Sequence, residues 1–258
     1  MVRLFFIALI IFLFILIKPK YMIKKKMLFF FIIYGLIGAI AVLTQYIGIV
    51  LGVPVAIVSF LLYSQPIWTV FFGKILLKEH ITSRKILSVA IAVIGLLCLL
   101  KPWDIKSAGP LEGIISALIA GIFISLWVIW GRKSGLNKQH YITTTFGFAA
   151  FSLAWLLLLW PVLNYFIKDQ SIVRLSLGFP SHYWIYFALF ALISGVIPHS
   201  LFYKGVKHIH ASVAGILLLL EPVSATVLAA IIFSQSIGLN VILGGVLIIL
   251  SNYFVTKK

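Results

Sequence analysis

The chain has 258 residues, of which 63% are hydrophobic and 10% are charged, and its mean hydropathy is +1.19. Soluble globular domains contain about 45–50% apolar and about 25% charged residues, and disordered chains have low hydrophobicity, so the composition excludes both classes. So few polar side chains cannot cover a water-facing surface. The chain is therefore predicted to be an all-α, polytopic integral membrane protein that has the lipid bilayer as its surroundings.

The formal net charge of +16 comes from 21 Lys and Arg residues against 5 Asp and Glu residues. The basic residues stand between apolar runs, where they act as membrane-topology signals. The sequence has neither a finger spacing nor a basic module rich in aromatic residues, so we expect no nucleic-acid partner. Cys98 is the single cysteine and lies in an apolar run, which excludes an intrachain disulfide and a cysteine-based metal site.

Nine segments approach the length of about 20 mainly apolar residues that a helix needs to cross a bilayer. Their consecutive apolar positions favour helices over the alternating strands of a membrane barrel. In chain order the segments are Leu4 to Ile17, Leu28 to Val50, Val53 to Leu77, Ile81 to Leu100, Leu111 to Trp130, Tyr141 to Leu163, Tyr183 to Tyr203, Ala211 to Phe233 and Ile237 to Phe254.

The first segment is the shortest, and a secretory signal peptide is its competing interpretation. Two features favour a membrane helix instead. No small-residue cleavage site follows it, and the run from Lys18 to Lys26 is a far more basic flank than Arg3 at its start.

Lys and Arg are distributed unequally between the two sides of nine alternating spans. The side of the C-terminus receives Lys18, Lys20, Lys24, Lys25, Lys26, Lys74, Lys78, Arg84, Lys85, Arg132, Lys133, Lys138, Lys204, Lys207, Lys257 and Lys258. The other side receives Arg3, Lys101, Lys106, Lys168 and Arg174. Because cytoplasmic loops retain positive charge, we predict a cytoplasmic C-terminus and an external Met1.

An internal repeat is visible when the sequence is aligned with itself at an offset of 156 residues. The aligned pairs are Gln65-Pro66 with Glu221-Pro222, Leu61-Leu62 with Leu217-Leu218, Ile86-Leu87 with Ile242-Leu243, Ser88 with Gly244, Lys78-Glu79 with Ser234-Gln235, and Val53-Pro54 with Ile209-His210. Equivalent loops are predicted on opposite sides and are richer in basic residues on the cytoplasmic side, as the positive-inside rule requires of an inverted repeat. We predict a first repeat over residues 1–102 with four helices and a second over residues 110–258 with five.

Glu221 is the acidic residue that the predicted spans place deep in the membrane. An intramembrane carboxylate is costly and is a functional hypothesis by default, and desolvation would let it exchange a proton near neutral pH. The alternative is a structural carboxyl group that ties helices together. Pro222 follows it, and Pro66 follows Gln65 at the equivalent position, so two broken helices each carry a polar side chain, as in transporter sites. The alternative is two packing kinks.

Helical spacing adds further candidates for a solute site. Gln45 lies on a stripe of small residues, for which close helix packing is the alternative, and His199 is either a proton or substrate contact or a lone interhelical histidine. Trp68 shares a face with Gln65, Ser224 shares one with Glu221, and Trp127 could stack on a solute. The predicted substrate-binding residues are Gln45, Gln65, Trp68, Trp127, His199, Glu221 and Ser224, with Glu221 also as the proton-coupling group.

The pair His208 and His210 has the spacing of a possible metal site. It lies beside Lys204 and Lys207, and this positive charge favours a solvated cytoplasmic loop. We expect no metal and no cofactor.

Several stretches resemble the drug/metabolite transporter superfamily, specifically its EamA-like branch. They are Tyr203 to Ser212 (YKGVKHIHAS), Leu218 to Val223 (LLLEPV), Gln65-Pro66, Leu76 to Glu79, and Glu112, Gly113 and Trp127. The resemblance covers nearly the whole chain. It implies ten helices in two inverted repeats of five, and the export or exchange of small metabolites.

The same resemblance makes Met1 similar to the start of the family's second helix. The missing first helix leaves three explanations open: a misassigned start, a nine-helix variant, or compensation by a homodimer. The family's Gly-Glu pair is present only as Lys78-Glu79 and becomes Ser234-Gln235 in the second half.

The sequence lacks a Walker A motif, a G-x-S-x-G elbow and paired acidic residues suited to hydrolysis, so we do not expect an enzyme. We predict a secondary transporter of a small organic solute that works by alternating access. Three alternatives remain open: a lipid or polyprenyl-phosphate flippase using Lys204 and Lys207, an integral-membrane enzyme, and a non-transporting scaffold.

Overall fold

The structure, a computed structural model, describes residues 1–105, 107–166, 178, 180–234 and 237–257. Within these residues every long regular element is a helix, which confirms the all-α prediction. The α-helices are α1 (Val2–Ile17), α2 (Leu28–Val50), α3 (Val55–Leu62), α4 (Gln65–Leu77), α5 (Ser83–Leu100), α6 (Leu111–Leu136), α7 (Tyr141–Phe166), α8 (Ser181–Ala191), α9 (Ile197–Val206), α10 (Ala211–Leu217), α11 (Leu220–Phe233) and α12 (Leu239–Thr256).

Eight helical segments in the described part of the chain are long and apolar enough to cross a membrane. Helix α1, with 16 residues, is a shorter apolar helix beside these eight. The chain is therefore a multi-pass membrane protein, as its composition predicts. Two of the eight segments, 55–77 and 211–233, are each divided into two helices, α3 with α4 and α10 with α11.

Helix boundaries follow local chemistry. Helix α2 has the predicted bounds. Helix α5 begins two residues later than predicted because the Thr82 side chain accepts a hydrogen bond from Lys85 N at 3.3 Å and so caps the first turn. Helix α6 continues past the predicted Trp130 to Leu136, since long basic side chains such as Lys133 can keep their charge in the interfacial region.

Both divided segments break within one or two residues of the proline that the sequence singled out. Pro66 has no backbone N–H, and the chain forms a tight turn at Tyr63 and Ser64 before α4 starts. The equivalent turn before Pro222 lies at Leu218 and Leu219. The predicted breaks are thus present at both positions.

A third irregularity was not predicted. Residues Leu192–Val196 form one π-helical turn between α8 and α9, just before Pro198. His199 Nδ1 donates to the Gly195 carbonyl oxygen at 2.8 Å, which gives this carbonyl a partner inside the irregular turn. Such π-turns often mark functional positions in helices.

The described residues group into two compact units. Unit 1 comprises Met1–Ile40 and Trp130–His208, and unit 2 comprises Ala41–Ile129 and Ile209–Lys258. Each unit contains segments of both predicted repeats, and the repeat boundaries at residues 102 and 110 stay a prediction. The predicted orientation of the chain also stays a prediction. It was derived from the distribution of Lys and Arg, and four of these residues lie outside the described residues: Lys106, Lys168, Arg174 and Lys258.

Unit 1 has a buried aromatic centre. Tyr34 donates from its hydroxyl to the Tyr203 hydroxyl at 2.8 Å, and both side chains are at most 2% exposed. Gly131 makes this possible, since a Cβ at this position would lie 3.0 Å from the Tyr203 ring and 3.1 Å from the Tyr34 hydroxyl. The pair joins α2 to α9.

Unit 2 is built around an antiparallel contact between α5 and α12. A Cβ on Gly244 would lie 2.6 Å from the Gly95 carbonyl oxygen, so the two helix backbones touch at these glycines. About two turns away, Ser251 Oγ donates to the Ser88 carbonyl oxygen at 2.8 Å. Because Ser88 aligns with Gly244 and Gly95 with Ser251 at the 156-residue offset, the two contacts are equivalent under the predicted repeat.

Candidate functional site

The two divided segments of unit 2 pack against each other antiparallel, with α4 beside α10. Gln65 Nε2 donates to the Gly215 carbonyl oxygen at 2.6 Å, and the Gln65 side chain is almost fully buried. In a continuous helix this carbonyl would accept from Leu219 N, but in the turn after α10 that amide donates to Ile216 O instead. Gln65 therefore supplies the hydrogen bond that the break in the partner segment removes.

Thr69 fixes the other end of the Gln65 amide. Its hydroxyl lies 2.9 Å from Gln65 Oε1 and 2.8 Å from the Gln65 carbonyl oxygen. Thr69 also lies 3.0 Å from the position of a Cβ on Gly215, so a side chain there would push α4 and α10 apart. The amide of Gln65 is held on both sides, and its predicted contact with a solute stays a prediction.

Trp68 is also anchored at the break. Its indole Nε1 donates to Ser64 Oγ at 3.2 Å, and Ser64 Oγ donates to the Leu61 carbonyl oxygen at 2.6 Å. The ring is half-buried. The structure thus places Gln65 and Trp68 at the same break, and the hydroxyl of Ser64 orients the indole.

Glu221 and Ser224, on the equivalent helix α11, are both exposed, whereas Pro222 between them is buried. Glu221 is close enough to Tyr63, at the opposite break, to interact with it electrostatically. In a segment that spans the bilayer, an exposed carboxyl group must face a water-filled space, face another protein segment, or take up a proton. The coupling role of Glu221 stays a prediction.

Gln45 and Trp127 are half-buried on α2 and α6 in unit 2. The small-residue stripe that contains Gln45 makes a close helix contact, because a Cβ on Gly48 would lie 3.1 Å from the Gly113 carbonyl oxygen. Ser116 Oγ donates to the Thr44 carbonyl oxygen at 2.8 Å in the same contact. The stripe thus makes the close helix packing that the sequence analysis gives as the alternative to a solute site. The contact of Gln45 with a solute stays a prediction.

His199 lies in unit 1, and its predicted contact with a solute stays a prediction. Its ring stacks on Phe148 at 5.5 Å between ring centroids. Since Nδ1 donates to Gly195 O, a neutral ring carries its acceptor lone pair on Nε2. This tautomer would suit an acceptor for a solute N–H or O–H group.

One polar residue of unit 2, Glu79, was not predicted as part of a site. The sequence places it at a helix end, but the side chain is only 3% exposed and binds the first turn of α10. The carboxylate accepts from Ala211 N at 2.6 Å, from Ser212 Oγ at 2.7 Å and from Ser212 N at 3.3 Å. The signal that could have found it is compositional: the chain has 5 acidic residues, and one of them ends an apolar span.

Lys85 and His210 flank the Glu79 carboxylate. Lys85 Nζ lies 3.8 Å and His210 Nδ1 lies 3.5 Å from Glu79 Oε2. His210, which the sequence placed in a solvated loop, is half exposed and faces this carboxylate. The described residues contain no group of three or more His, Cys, Asp or Glu side chains placed to hold a metal ion.

Residues 1–101 and 111–257 match the model of the EamA-like transporter family. A Clostridium kluyveri protein is 27% identical over 206 residues, which are 76% of this chain and 62% of that protein. An Archaeoglobus fulgidus protein is 23% identical over 205 residues, which are 80% of this chain and 68% of that protein. Both carry the name "Uncharacterized transporter". The alignment with the first relative spans less than two thirds of that relative's length.

A solved crystal structure has a similar fold. It superposes on this chain with a TM-score of 0.76 at 16% sequence identity, and the match covers 99% of this chain and 85% of the other. This likeness shows the fold alone.

Proposed function

Because the chain belongs to the EamA-like transporter family, we propose that it is a secondary transporter that exports or exchanges a small organic solute by alternating access. The observation that carries the proposal is the antiparallel pair of divided segments in unit 2, α3 with α4 and α10 with α11, joined by the Gln65 bond to Gly215. Divided helices at the interface of inverted repeats form the binding sites of many secondary transporters.

The helix bounds support an inverted repeat. Segments 55–77 and 211–233 have the same length and are displaced by the 156-residue offset, and so are α5 and α12. Equivalent helices run antiparallel in both pairs, which is the arrangement that inverted topology requires. The equivalent contacts of Gly95 with Gly244 and of Ser251 with Ser88 support the same relation.

The placement of charge in unit 2 supports a cytoplasmic C-terminus. Arg84 Nη1 donates to the Lys257 carbonyl oxygen at 3.3 Å, so the start of α5 and the end of α12 lie together. Glu79 and Lys85 meet the start of α10 at the same end of α5. This end of unit 2, which we call the basic end, carries Lys78, Arg84, Lys85 and Lys257, as the positive-inside rule predicts of a cytoplasmic face.

Glu221 is the proposed proton-coupling group. A carboxyl group at this depth is costly when charged, so its proton is exchanged where water reaches it and retained where water is excluded. Glu221 is exposed in unit 2, whereas Gln65 at the equivalent position is buried and hydrogen-bonded. An exposed position suits a group that must change its surroundings during transport.

The full chain reconstituted in liposomes tests the proposal. Uptake of a panel of labelled amino acids and other small organic solutes is measured with and without a pH gradient, in the wild type and in Glu221→Gln. We expect pH-dependent uptake of at least one solute class and loss of the pH dependence in the variant. Glu112→Gln, the same change at an exposed residue, is the control.

Unchanged uptake and pH dependence in Glu221→Gln would reject the coupling role. Movement of labelled phospholipid without uptake of any solute would replace the proposal with a lipid flippase.

A further inference from the structure

We propose that Glu79 is the latch of a gate at the basic end of unit 2. It fastens the end of α4 to the start of α10 in the conformation described here, and it releases α10 when the site opens to that side. The inference rests on the proposed alternating-access function, and its contacts are measurable without any solute.

The local backbone aims Glu79 at α10. Lys78 adopts a left-handed conformation, with φ of 53°, and turns the chain at the end of α4. The backbone N–H groups of Lys78 and Glu79 both donate hydrogen bonds to the Gly73 carbonyl oxygen. A Cβ on Gly73 would lie 3.3 Å from Glu79 Oε2, so this glycine makes room for the carboxylate.

Helix α10 depends on an external acceptor at its start. The first amides of a helix have no partner within it, and a carboxylate placed there is favoured both by hydrogen bonding and by the helix dipole. The N-terminal capping residue of α10, His210, makes no capping bond with its side chain. Glu79 therefore provides the cap from another segment, 132 residues away in sequence.

The charged groups of this contact are shielded from solvent. The Glu79 and Lys85 side chains are 3% and 10% exposed, and Lys85 Nζ also donates to the His80 carbonyl oxygen at 2.8 Å. His210, with its side chain 50% exposed, is the member of the cluster that reaches solvent. Separating α4 from α10 would leave a carboxylate and an ammonium group that both need water, so release is coupled to wetting of this end.

The sequence at this position differs between the two predicted repeats. Ser234, aligned with Lys78, has the same left-handed conformation, with φ of 53°. The next residue is Gln235, which lies outside the described residues and carries no charge. The sequence therefore specifies the charged side chain of the latch at Glu79 but not at the aligned Gln235.

The first measurement is hydrogen exchange by mass spectrometry on the full chain in liposomes. In Glu79→Gln, amides of residues 209–216 should exchange about ten- to one hundred-fold faster, since a charge-assisted acceptor is lost. Exchange in α12 should be unchanged. Glu112→Gln is the matched control, with no change in either region.

The second measurement tests gating. A cysteine replaces Thr69, buried beside Gly215, in a Cys98→Ser background, and a membrane-impermeant maleimide is added to either side. When Glu79→Gln is added, the labelling rate from the side of the C-terminus should rise about tenfold relative to the rate from the other side. This factor corresponds to the faster hydrogen exchange expected for the first amides of α10. If the cap is lost but the ratio between the sides is unchanged, Glu79 is a static cap and the latch is rejected.

Unchanged exchange at residues 209–216 would also reject the latch. If Glu79→Gln does not fold, Ser212→Ala removes one donor only and should change both readouts in the same direction by a smaller factor. A shifted labelling ratio in a protein that moves no solute would keep the latch and reject the transport proposal.

Discussion

The two divided segments of unit 2 share a backbone design but differ in chemistry. In α3 with α4 the polar residue before the proline, Gln65, is 2% exposed and bonded across to the partner segment. In α10 with α11 the equivalent residue, Glu221, is exposed. Both segments break close to a proline, but the polar side chain beside the proline is packed in one segment and exposed in the other.

We expect this difference to separate a structural role in one predicted repeat from a functional role in the other. The amide of Gln65 satisfies a carbonyl that would otherwise be buried without a donor, so its removal should be costly wherever the protein is folded. The carboxyl group of Glu221 is exposed and interacts electrostatically with Tyr63 across the two breaks. We expect substitutions at the two positions to affect different properties: stability at Gln65 and pH-dependent transport at Glu221.

The largest effect on stability is expected where equivalent helices meet at their backbones. Gly244→Ala places a Cβ 2.6 Å from the Gly95 carbonyl oxygen and 2.8 Å from Leu99 N, and neither backbone atom can rotate away. We expect a loss of about 3 kcal/mol in the free energy of unfolding, measured by denaturant titration in detergent.

Gly205→Ala is the matched control for this change. Gly205 lies in α9, and no neighbouring atom lies within 4 Å of the position that a Cβ would take. Alanine there should therefore be neutral or stabilising by about 0.5–1 kcal/mol. Equal stability of the two alanine variants would contradict the close α5–α12 contact and the symmetry drawn from it.

The next effect compares the two break positions directly. Gln65→Leu leaves the Gly215 carbonyl oxygen without its donor and should lower the free energy of unfolding by about 2 kcal/mol. Glu221→Leu changes an exposed side chain and should alter it by less than about 0.5 kcal/mol. Thermal unfolding of both variants in the same detergent checks the difference, and a reversed order would refute the assigned roles.

The smallest expected effect is on the pH dependence of stability, and it helps to test the role assigned to Glu221. His140 lies between α6 and α7, where burial, and then the positive charges of Lys207 and Lys20, lower its pKa below the ordinary value of 6.5. Its Nδ1 accepts from Ile142 N at 3.3 Å, which also favours the neutral ring. The folded state therefore binds this proton less readily than the unfolded state.

The stability that neutral His140 confers is present above the ordinary pKa and is lost as the pH falls from 6.5 through the lowered pKa. His140→Gln should flatten the dependence of the melting temperature on pH in this acidic range. If transport by His140→Gln keeps its full pH dependence, the coupling group lies elsewhere, as proposed for Glu221. An unaltered melting profile would show that His140 makes no contribution.

Hydrophobic runs and prolines predict most of the fold. The bounds of α2 follow from the length of its apolar run, and the two breaks follow from prolines that lack a backbone N–H. Both effects are local, since each depends on the sequence of a single segment. The π-helical turn at Leu192–Val196 was not predictable in this way, since nothing in the local sequence distinguishes it from the kink that Pro198 alone would give.

The candidate site could be predicted only in part. Gln65 was singled out by its proline and its repeat partner, but its role depends on a carbonyl 150 residues away. Glu79 was missed because its burial depends on the start of α10, a contact that no local pattern contains. Residues that act through partners distant in sequence need the packed helices before their roles can be assigned.

The bond from Gln65 to Gly215 also bears on how the polypeptide enters the membrane. Translation produces the donor Gln65 and the acceptor Glu79 long before their partners in α10. Until α10 is made, both side chains must therefore be hydrated or paired with other groups. When the later segment arrives, its carbonyl and its pair of amides meet groups that are already in place. Assembly of unit 2 thereby has a direction, from the earlier half to the later one.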